Sequence, residues 1–320
     1  MAVINQAAAK LRAQLFESDE LIVCPGVQDG LSARVCLQQG FKNLYMTGAG
    51  TAISLLGMPD LGLTTPTDMI RQASMLSSLD RSVPLIADID TGFGGPVMVS
   101  RSVESYILGG VAGLHLEDQV VTKRCGHLGG KELVDTPTFV SRIRAAKEAR
   151  DRLQSDLVII ARTDALQSLG FDEAISRLQA AIAAGADAVF LEGVKDRAQM
   201  KQFTETMAPT PCLINLVPGG LTPLINAKEA KELGYRIAIW PCFAMTHAYL
   251  AYQKAARELM ETGAVTAGFT ERQRAKEGDD VKEEQGQESG GIRELFELCG
   301  LSECVEFDKR MGGQTFSKGV

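Results

Sequence analysis

Short apolar runs alternate with amphipathic helical stretches along most of this chain, and that alternation constrains the fold more than any other property. Strand-like runs stand near residues 21–25, 43–47, 84–88, 113–117, 157–162, 188–192, 212–215 and 236–240. Apolar residues at helical spacing fill the intervals, as in 65–79, 137–153, 172–184 and 195–207. Strands separated by helices of this length pair in parallel through right-handed crossovers. Eight such units predict an α/β fold, a (β/α)8 barrel of TIM type. An open doubly wound sheet competes, but the first strand-to-helix turn, Pro25-Gly26-Val27-Gln28-Asp29-Gly30, lacks the glycine-rich phosphate loop expected there.

The polar residues are distributed as a barrel requires. Tyr45, Thr47, Asp88, Asp90, Glu117, Arg162, Asp164, Glu192 and Asn215 all fall at or just past a predicted strand C-terminus. In a barrel that rim carries the active site. Inside an ordinary buried strand the same groups would be costly and unpaired.

Beyond the barrel the chain changes character. A long helix is predicted over 248–262, and 271–291 then holds many charges, glutamines and glycines. The organisation read from this is a barrel with an N-terminal helix over 1–265, a flexible charged insertion over 266–291, and a C-terminal helix and tail over 292–320. A helix tethered by such a linker must bury its apolar face on its own barrel or on another subunit. The N-terminal apolar spacing of Ile4, Ala8, Leu11 and Leu15 suits an amphipathic helix. Glu17, Asp19 and Glu20 count against a transit peptide, so a cytoplasmic rather than mitochondrial setting is expected.

A formal net charge of −7 argues against nucleic acid as a partner, and no stretch reaches the length of a membrane span. The seven cysteines form no CxxC pair, which leaves zinc and redox motifs unsupported and favours reduced thiols. One of them stands apart. Cys125 lies in Lys123-Arg124-Cys125-Gly126-His127, just after the acidic strand end Leu116-Glu117-Asp118. A thiol flanked by cations is expected to have a lowered pKa and to serve as an acid or nucleophile.

Asp88 and Asp90, two apart, are expected on one face of a strand, with Glu117 from the next strand as a third carboxylate. Such a cluster repels itself unless a cation intervenes, and oxygen donors favour Mg2+ (or Mn2+). The plainer reading is a helix cap beside a solvent-facing acid. Arg162 can grip a substrate carboxylate or pair with Glu192. Tyr45 can exchange a proton with a substrate hydroxyl or simply pack. Thr47-Gly48-Ala49-Gly50 offers open backbone amides to an anion. His115, inside a strand, reads as a satisfied core histidine.

Taken together, Tyr45-Met46-Thr47-Gly48-Ala49-Gly50, Asp88-Ile89-Asp90-Thr91-Gly92-Phe93-Gly94, His115-Leu116-Glu117-Asp118-Gln119, Lys123-Arg124-Cys125-Gly126-His127 and Ala161-Arg162-Thr163-Asp164 resemble the isocitrate lyase/phosphoenolpyruvate mutase superfamily. Order and spacing match over roughly residues 20–265, most closely in the branch of 2-methylisocitrate lyase, 2,3-dimethylmalate lyase and oxaloacetate acetylhydrolase. The resemblance implies a barrel with a swapped C-terminal helix, assembled as a homotetramer. It implies a metal on Asp88, Asp90 and Glu117, with Asp60 an outer partner through water. A small carboxylate substrate would be held by Thr47, Gly48, Ala49 and Arg162, and its distal end by Gly126, His127 and Asn215. Cys125, Tyr45, Lys123, His127 and Glu192 form the expected catalytic set.

The implied reaction is carbon–carbon cleavage of a 2-hydroxy dicarboxylate to a 2-oxo acid and a carboxylic acid, with Cys125 as general acid. Pro241, where the resemblance places serine in oxaloacetate acetylhydrolases, argues for the lyase side. Pro218 departs from the glutamate that similar proteins carry, so a changed distal pocket is expected. Hydrolysis of oxaloacetate to oxalate and acetate is the enzymatic alternative, and a non-catalytic carboxylate-binding barrel the alternative of another class.

Overall fold

The computed structural model describes residues 5–265 and 291–316. The insertion expected over 266–291 lies outside the described residues, apart from Gly291. Eight parallel strands close into a barrel: β1 (Ile22–Val27), β2 (Leu44–Met46), β3 (Leu85–Asp88), β4 (Gly113–Glu117), β5 (Val158–Thr163), β6 (Ala188–Leu191), β7 (Cys212–Asn215) and β8 (Ile237–Trp240). Each pairs with the next, and β8 closes on β1. The open sheet is excluded.

Alternation along each strand divides its side chains between two cores. Leu44, Met46, Leu85, Ala87, Leu114, Leu116, Ile159 and Ala161 face outward, against helix residues such as Met69, Val103, Tyr106 and Phe139. Ile22, Cys24, Tyr45, Ile86, Val158, Ile160, Phe190, Leu213 and Ile239 fill the interior. The same inward parity continues to Asp88 after Ile86, to Arg162 after Ile160, to Glu192 after Phe190 and to Asn215 after Leu213. On β4 it runs through His115 to Glu117. The barrel's uppermost inward layer is therefore polar because the strands keep their period for one more step.

The other end is plugged. Helix Gln6–Phe16 is capped by Asn5, whose side chain accepts from the Ala7 and Ala8 amides. Its Ala8 and Leu11 are fully buried and join the interior core. Asn5 donates to the Val111 carbonyl at 3.0 Å and Arg12 to the Leu157 carbonyl at 3.2 Å, just ahead of β4 and β5. The helix expected from this apolar spacing thus closes the barrel floor through Ala8, Leu11 and Leu15, while Ile4 lies outside the described residues.

The chain divides into two compact units, 1–246 and 247–320, where the sequence suggested a first boundary at 265. The division falls within one helix, Phe243–Thr262, which buries none of its side chains. The second unit also holds helices Ile292–Leu298 and Leu301–Arg310, again without a buried residue. No helix among the described residues is long and apolar enough to cross a membrane.

Candidate active site

The C-terminal mouth of the barrel gathers the strand-end residues singled out from the sequence. Glu117 and Arg162 are register partners on β4 and β5, and Arg162 Nη1 lies 3.2 Å from Glu117 Oε2. Asp164 takes Arg162 Nε at 3.0 Å and Nη2 at 3.2 Å. Glu192 Oε2 is 3.5 Å from Nη2, and the guanidinium stands 5.1 Å from the Phe190 ring centre. The arginine–glutamate pair expected from the sequence is present but loose. The bidentate partner is Asp164, which fixes the guanidinium plane.

Asp88 and Asp90 reach the mouth by a different route from the one expected. Asp88 is the last residue of β3, whereas Asp90 lies beyond it with φ 48°, in the left-handed region. They do not share a strand face. A turn joins them, with the Asp90 amide donating to Asp88 Oδ1 at 2.8 Å and the Glu117 amide donating to the Asp90 carbonyl at 3.0 Å. Asp88 also explains Gly48, because any Cβ there would collide with its Oδ2. Thr47 caps the short helix Gly48–Thr51, accepting from the Gly50 amide at 3.2 Å. As first-turn residues of that helix, Gly48 and Ala49 have amides without intrahelical acceptors.

Lys123 spans the acidic groups. Its Nζ lies 2.6 Å from Asp60 Oδ1 and 2.5 Å from Asp90 Oδ1, with its side chain 3 % exposed. Burial works against the ammonium, but Asp90, Glu117, Asp60 and Asp88 outweigh it and hold the Lys123 pKa well above its ordinary value. Burial raises Asp88 and, further, Glu117, and it lifts Asp90 to about 6 against the pull of Lys123. Lys123 and Arg162 together leave these carboxylates undercompensated, since burial still raises Asp88 and Glu117 against both charges and Asp90 against Lys123.

Among the described residues no three acidic or histidine side chains close around a single point as a ready metal cluster. The donor set nevertheless fits a hard divalent cation. Glu117 is fully buried and neither of its carboxylate oxygens accepts a hydrogen bond. Such an acceptor is costly to leave unmade and suits a cation that takes oxygen ligands.

The structure reverses one expectation about Cys125. Its pKa is raised to about 11, by burial first and with the Asp60 charge adding to it. The flanking cations are spent elsewhere, Lys123 on Asp60 and Asp90, Arg124 on the Gly129 carbonyl at 3.4 Å. The loop carrying the thiol is tied down on several sides. Cys125 N donates to Asp60 O at 3.0 Å, and the Gln119 amide both donates to and accepts from the Arg124 backbone at 3.0 and 3.2 Å.

Tyr45 directs its hydroxyl to His115 Nε2 at 2.7 Å. Burial, then the charge of Arg162, lowers the His115 pKa to about 3, so the ring is neutral. Burial and the Asp88 charge raise Tyr45, which stays protonated and donates to Nε2. His115 is thus a core histidine, as read, but only half satisfied: Nε2 ties it to Tyr45, while the buried Nδ1 makes no hydrogen bond and stands 3.6 Å from Asp88 Oδ1.

His127, Asn215 and Glu192 meet on the opposite side. Glu192 accepts from Asn215 Nδ2 at 3.0 Å and from the Gly193 amide at 2.9 Å. The Leu221 amide donates to His127 Nδ1 at 3.3 Å, so a neutral ring carries its proton on Nε2. Nε2 lies 3.2 Å from Asn215 Nδ2 and 3.9 Å from Glu192 Oε1. Pro218 is exposed in the loop that delivers Leu221, and Pro241 directly follows β8, packed against Gly26 of β1.

Sequence reasoning passed over a supporting tier. Asp118 accepts from Thr163 Oγ1 at 2.6 Å, from the Asp164 amide at 2.9 Å and from Arg177 Nη1 at 3.2 Å. Arg142 Nη1 donates to the Glu117 and Gln119 carbonyls at 3.2 and 2.7 Å. Asp118 was legible as a second acid at a strand end. Arg142 and Arg177 lie on helices and look like ordinary surface charges.

The family model described as phosphoenolpyruvate phosphomutase matches residues 11–260. A 2,3-dimethylmalate lyase of Eubacterium barkeri is 44% identical over 234 residues, covering 73% of this chain and 79% of that protein. A structure of oxaloacetate acetylhydrolase with the inhibitor 3,3-difluorooxalacetate superposes with TM-score 0.89 at 48% identity, over 97% of this chain and 99% of the other. A phosphonopyruvate hydrolase solved with oxalate and Mg++ gives TM-score 0.77 at 28% identity, over 97% and 99% of the two chains.

Proposed function

The chain belongs to the phosphoenolpyruvate mutase/isocitrate lyase superfamily, and we propose that it is a Mg2+-dependent carbon–carbon lyase acting on a 2-hydroxy dicarboxylate of the 2,3-dimethylmalate or 2-methylisocitrate type. One observation carries the reading: buried, undercompensated carboxylates and an arginine line the barrel mouth, and the loop bearing a thiol that burial keeps protonated is tied to Asp60 and, through Lys131, to Asp164.

Asp88, Asp90 and Glu117 would hold the cation, with Asp60 as an outer partner. When bound, a divalent cation supplies positive charge where a 2-hydroxy or 2-oxo oxygen becomes negative. Thr47, Gly48, Ala49 and Arg162 orient the proximal carboxylate, and Gly126, His127 and Asn215 receive the distal one. The Tyr45 hydroxyl, its own proton engaged by His115, presents a lone pair to the substrate hydroxyl and orients it. Glu192 keeps Asn215 and Arg162 in register.

The hydroxyl proton passes to the Tyr45 oxygen as the Tyr45 proton moves onto His115 Nε2, and C2 becomes a carbonyl while the C2–C3 electron pair moves onto C3. That pair is shared with the neighbouring carboxylate, giving a strongly basic enediolate. Cys125 donates its proton to C3 and completes the saturated acid. A thiol held protonated by burial is suited to this role, since its partner is a far stronger base. From 2,3-dimethylmalate the products are pyruvate and propionate.

Two further elements of the proposal concern the assembly and its setting. Ile53, Leu55, Leu56, Met58, Leu61 and Leu63 are solvent-exposed in the barrel unit, as are Phe296 and Phe307 in the C-terminal helices. Exposed apolar side chains on both units support self-association, which we propose takes the form of a homotetramer with swapped C-terminal helices; the proposed setting is the cytoplasm.

Proton NMR of the protein with Mg2+ and, separately, 2,3-dimethylmalate, 2-methylisocitrate, isocitrate and oxaloacetate tests the function. Pyruvate or glyoxylate appearing with a saturated acid supports the lyase and names its substrate. Acetate from oxaloacetate would place the protein with the hydrolases despite Pro241. Turnover of none of the four would favour a carboxylate-binding barrel.

A further inference from the structure

Lys131 ends the Cys125 loop and is almost wholly buried, with its side chain 1 % exposed. Its Nζ donates to Asp164 Oδ1 at 3.0 Å and to the Gly126 carbonyl. One ammonium thus joins the backbone beside the thiol to the carboxylate that fixes Arg162. Asp164 does not depend on this lysine, because Arg162 already contributes two hydrogen bonds to it. Among the described residues no other donor reaches the Gly126 carbonyl. Burying an ammonium is costly, and the cost is tolerated where the group holds something in place.

We infer that Lys131 is a positioning residue that latches the Cys125 loop onto the Arg162–Asp164 pair. It sets the thiol over the substrate without touching the substrate. The other loop anchors are Asp60 O to Cys125 N and Gln119 to Arg124 on one side, and the His127 ring to the Leu221 amide and Asn215 on the other. Without the lysine the Gly126 carbonyl loses its donor, and the backbone just after the thiol is held only through a side chain at His127. The open population should rise about tenfold or more, as expected for losing charge-assisted hydrogen bonds.

The inference rests on the proposed function only for its effect on turnover, and its test uses no substrate. Wild-type protein, Lys131→Met and Lys131→Gln are treated with iodoacetamide, and labelling of each cysteine is followed by peptide mass spectrometry. Cys299 and Cys304 are exposed and serve as internal standards, whereas Cys24, Cys36 and Cys212 are buried and report unfolding.

The expected result is Cys125 labelling at least about tenfold faster in Lys131→Met, with Lys131→Gln between it and wild type. The three buried cysteines should stay unlabelled and the two standards unchanged. Where turnover is measurable, kcat should fall and KM change little. Unchanged Cys125 labelling in both variants would overturn the inference. So would buried cysteines labelling in step with Cys125, or failure of both variants to fold, since either assigns Lys131 to the barrel. An inactive wild type showing the same labelling pattern would count against the lyase and leave the latch standing.

Discussion

Replacing Gly126 with alanine adds one methyl group where the Cys125 loop meets the barrel mouth. A Cβ built there would lie 2.8 Å from Glu192 Cγ and 3.0 Å from Asp164 Oδ1, and nearer still to Arg162 Nη2. None of these neighbours can withdraw easily. Asp164 is held by Arg162 and Lys131, and Glu192 by Asn215 and Gly193. The loop must move instead, by about 1 Å to restore ordinary contact. A displacement of ~1 Å between reacting groups can cost about a hundredfold in rate. The assay is pyruvate release from 2,3-dimethylmalate, coupled to lactate dehydrogenase. We expect kcat/KM to fall about a hundredfold while Tm moves by no more than ~2 °C, because the barrel core is untouched. Activity within twofold of wild type would refute the close approach of loop and arginine. A Tm loss above ~8 °C would show that Gly126 supports the fold rather than the site.

Cys125→Ser should reduce turnover by at least about a hundredfold while oxalate still binds in a calorimetric titration; unchanged turnover removes the thiol from the mechanism. Excess chelator should abolish activity and Mg2+ restore it, with Tm lower in chelator as ligand linkage requires; full activity in chelator refutes the assignment of Asp88, Asp90 and Glu117. Leu11→Ala, at the barrel floor, should cost about 2–5 kcal/mol in denaturant unfolding and leave kcat unchanged; an equal loss of kcat would show that the floor and the mouth are coupled.

What the sequence disclosed, and what it hid, follows from period and reach. Strand parity is local, so the positions of Glu117, Arg162, Glu192 and Asn215 at the barrel mouth could be read directly. Asp90 could not, because two-residue spacing implies a shared face only while the strand lasts, and β3 ends at Asp88. The acidity of Cys125 was misjudged for a related reason. Neighbours in sequence are neighbours in charge only if their side chains stay near, and Lys123 reaches Asp60 across 63 positions. Lys131 and Arg177 gave no signal, since lysine and arginine are ordinarily solvated and only the closed barrel supplies their buried partners.

The polar ring at the mouth is carried by strands, and the thiol by a loop. Hydrogen-bonded ladders around a closed barrel set the spacing of Asp88, Glu117, Arg162 and Asn215, and no loop replacement alters that spacing. The chemistry above it is therefore exchangeable. A lineage can replace the loop that bears Cys125 or the loop that bears Pro218 without rebuilding the polar ring. The neighbours of this chain include a lyase of dimethylmalate and hydrolases of oxaloacetate and phosphonopyruvate. Divergence in such a scaffold proceeds through the loops, and the frame beneath keeps its dimensions.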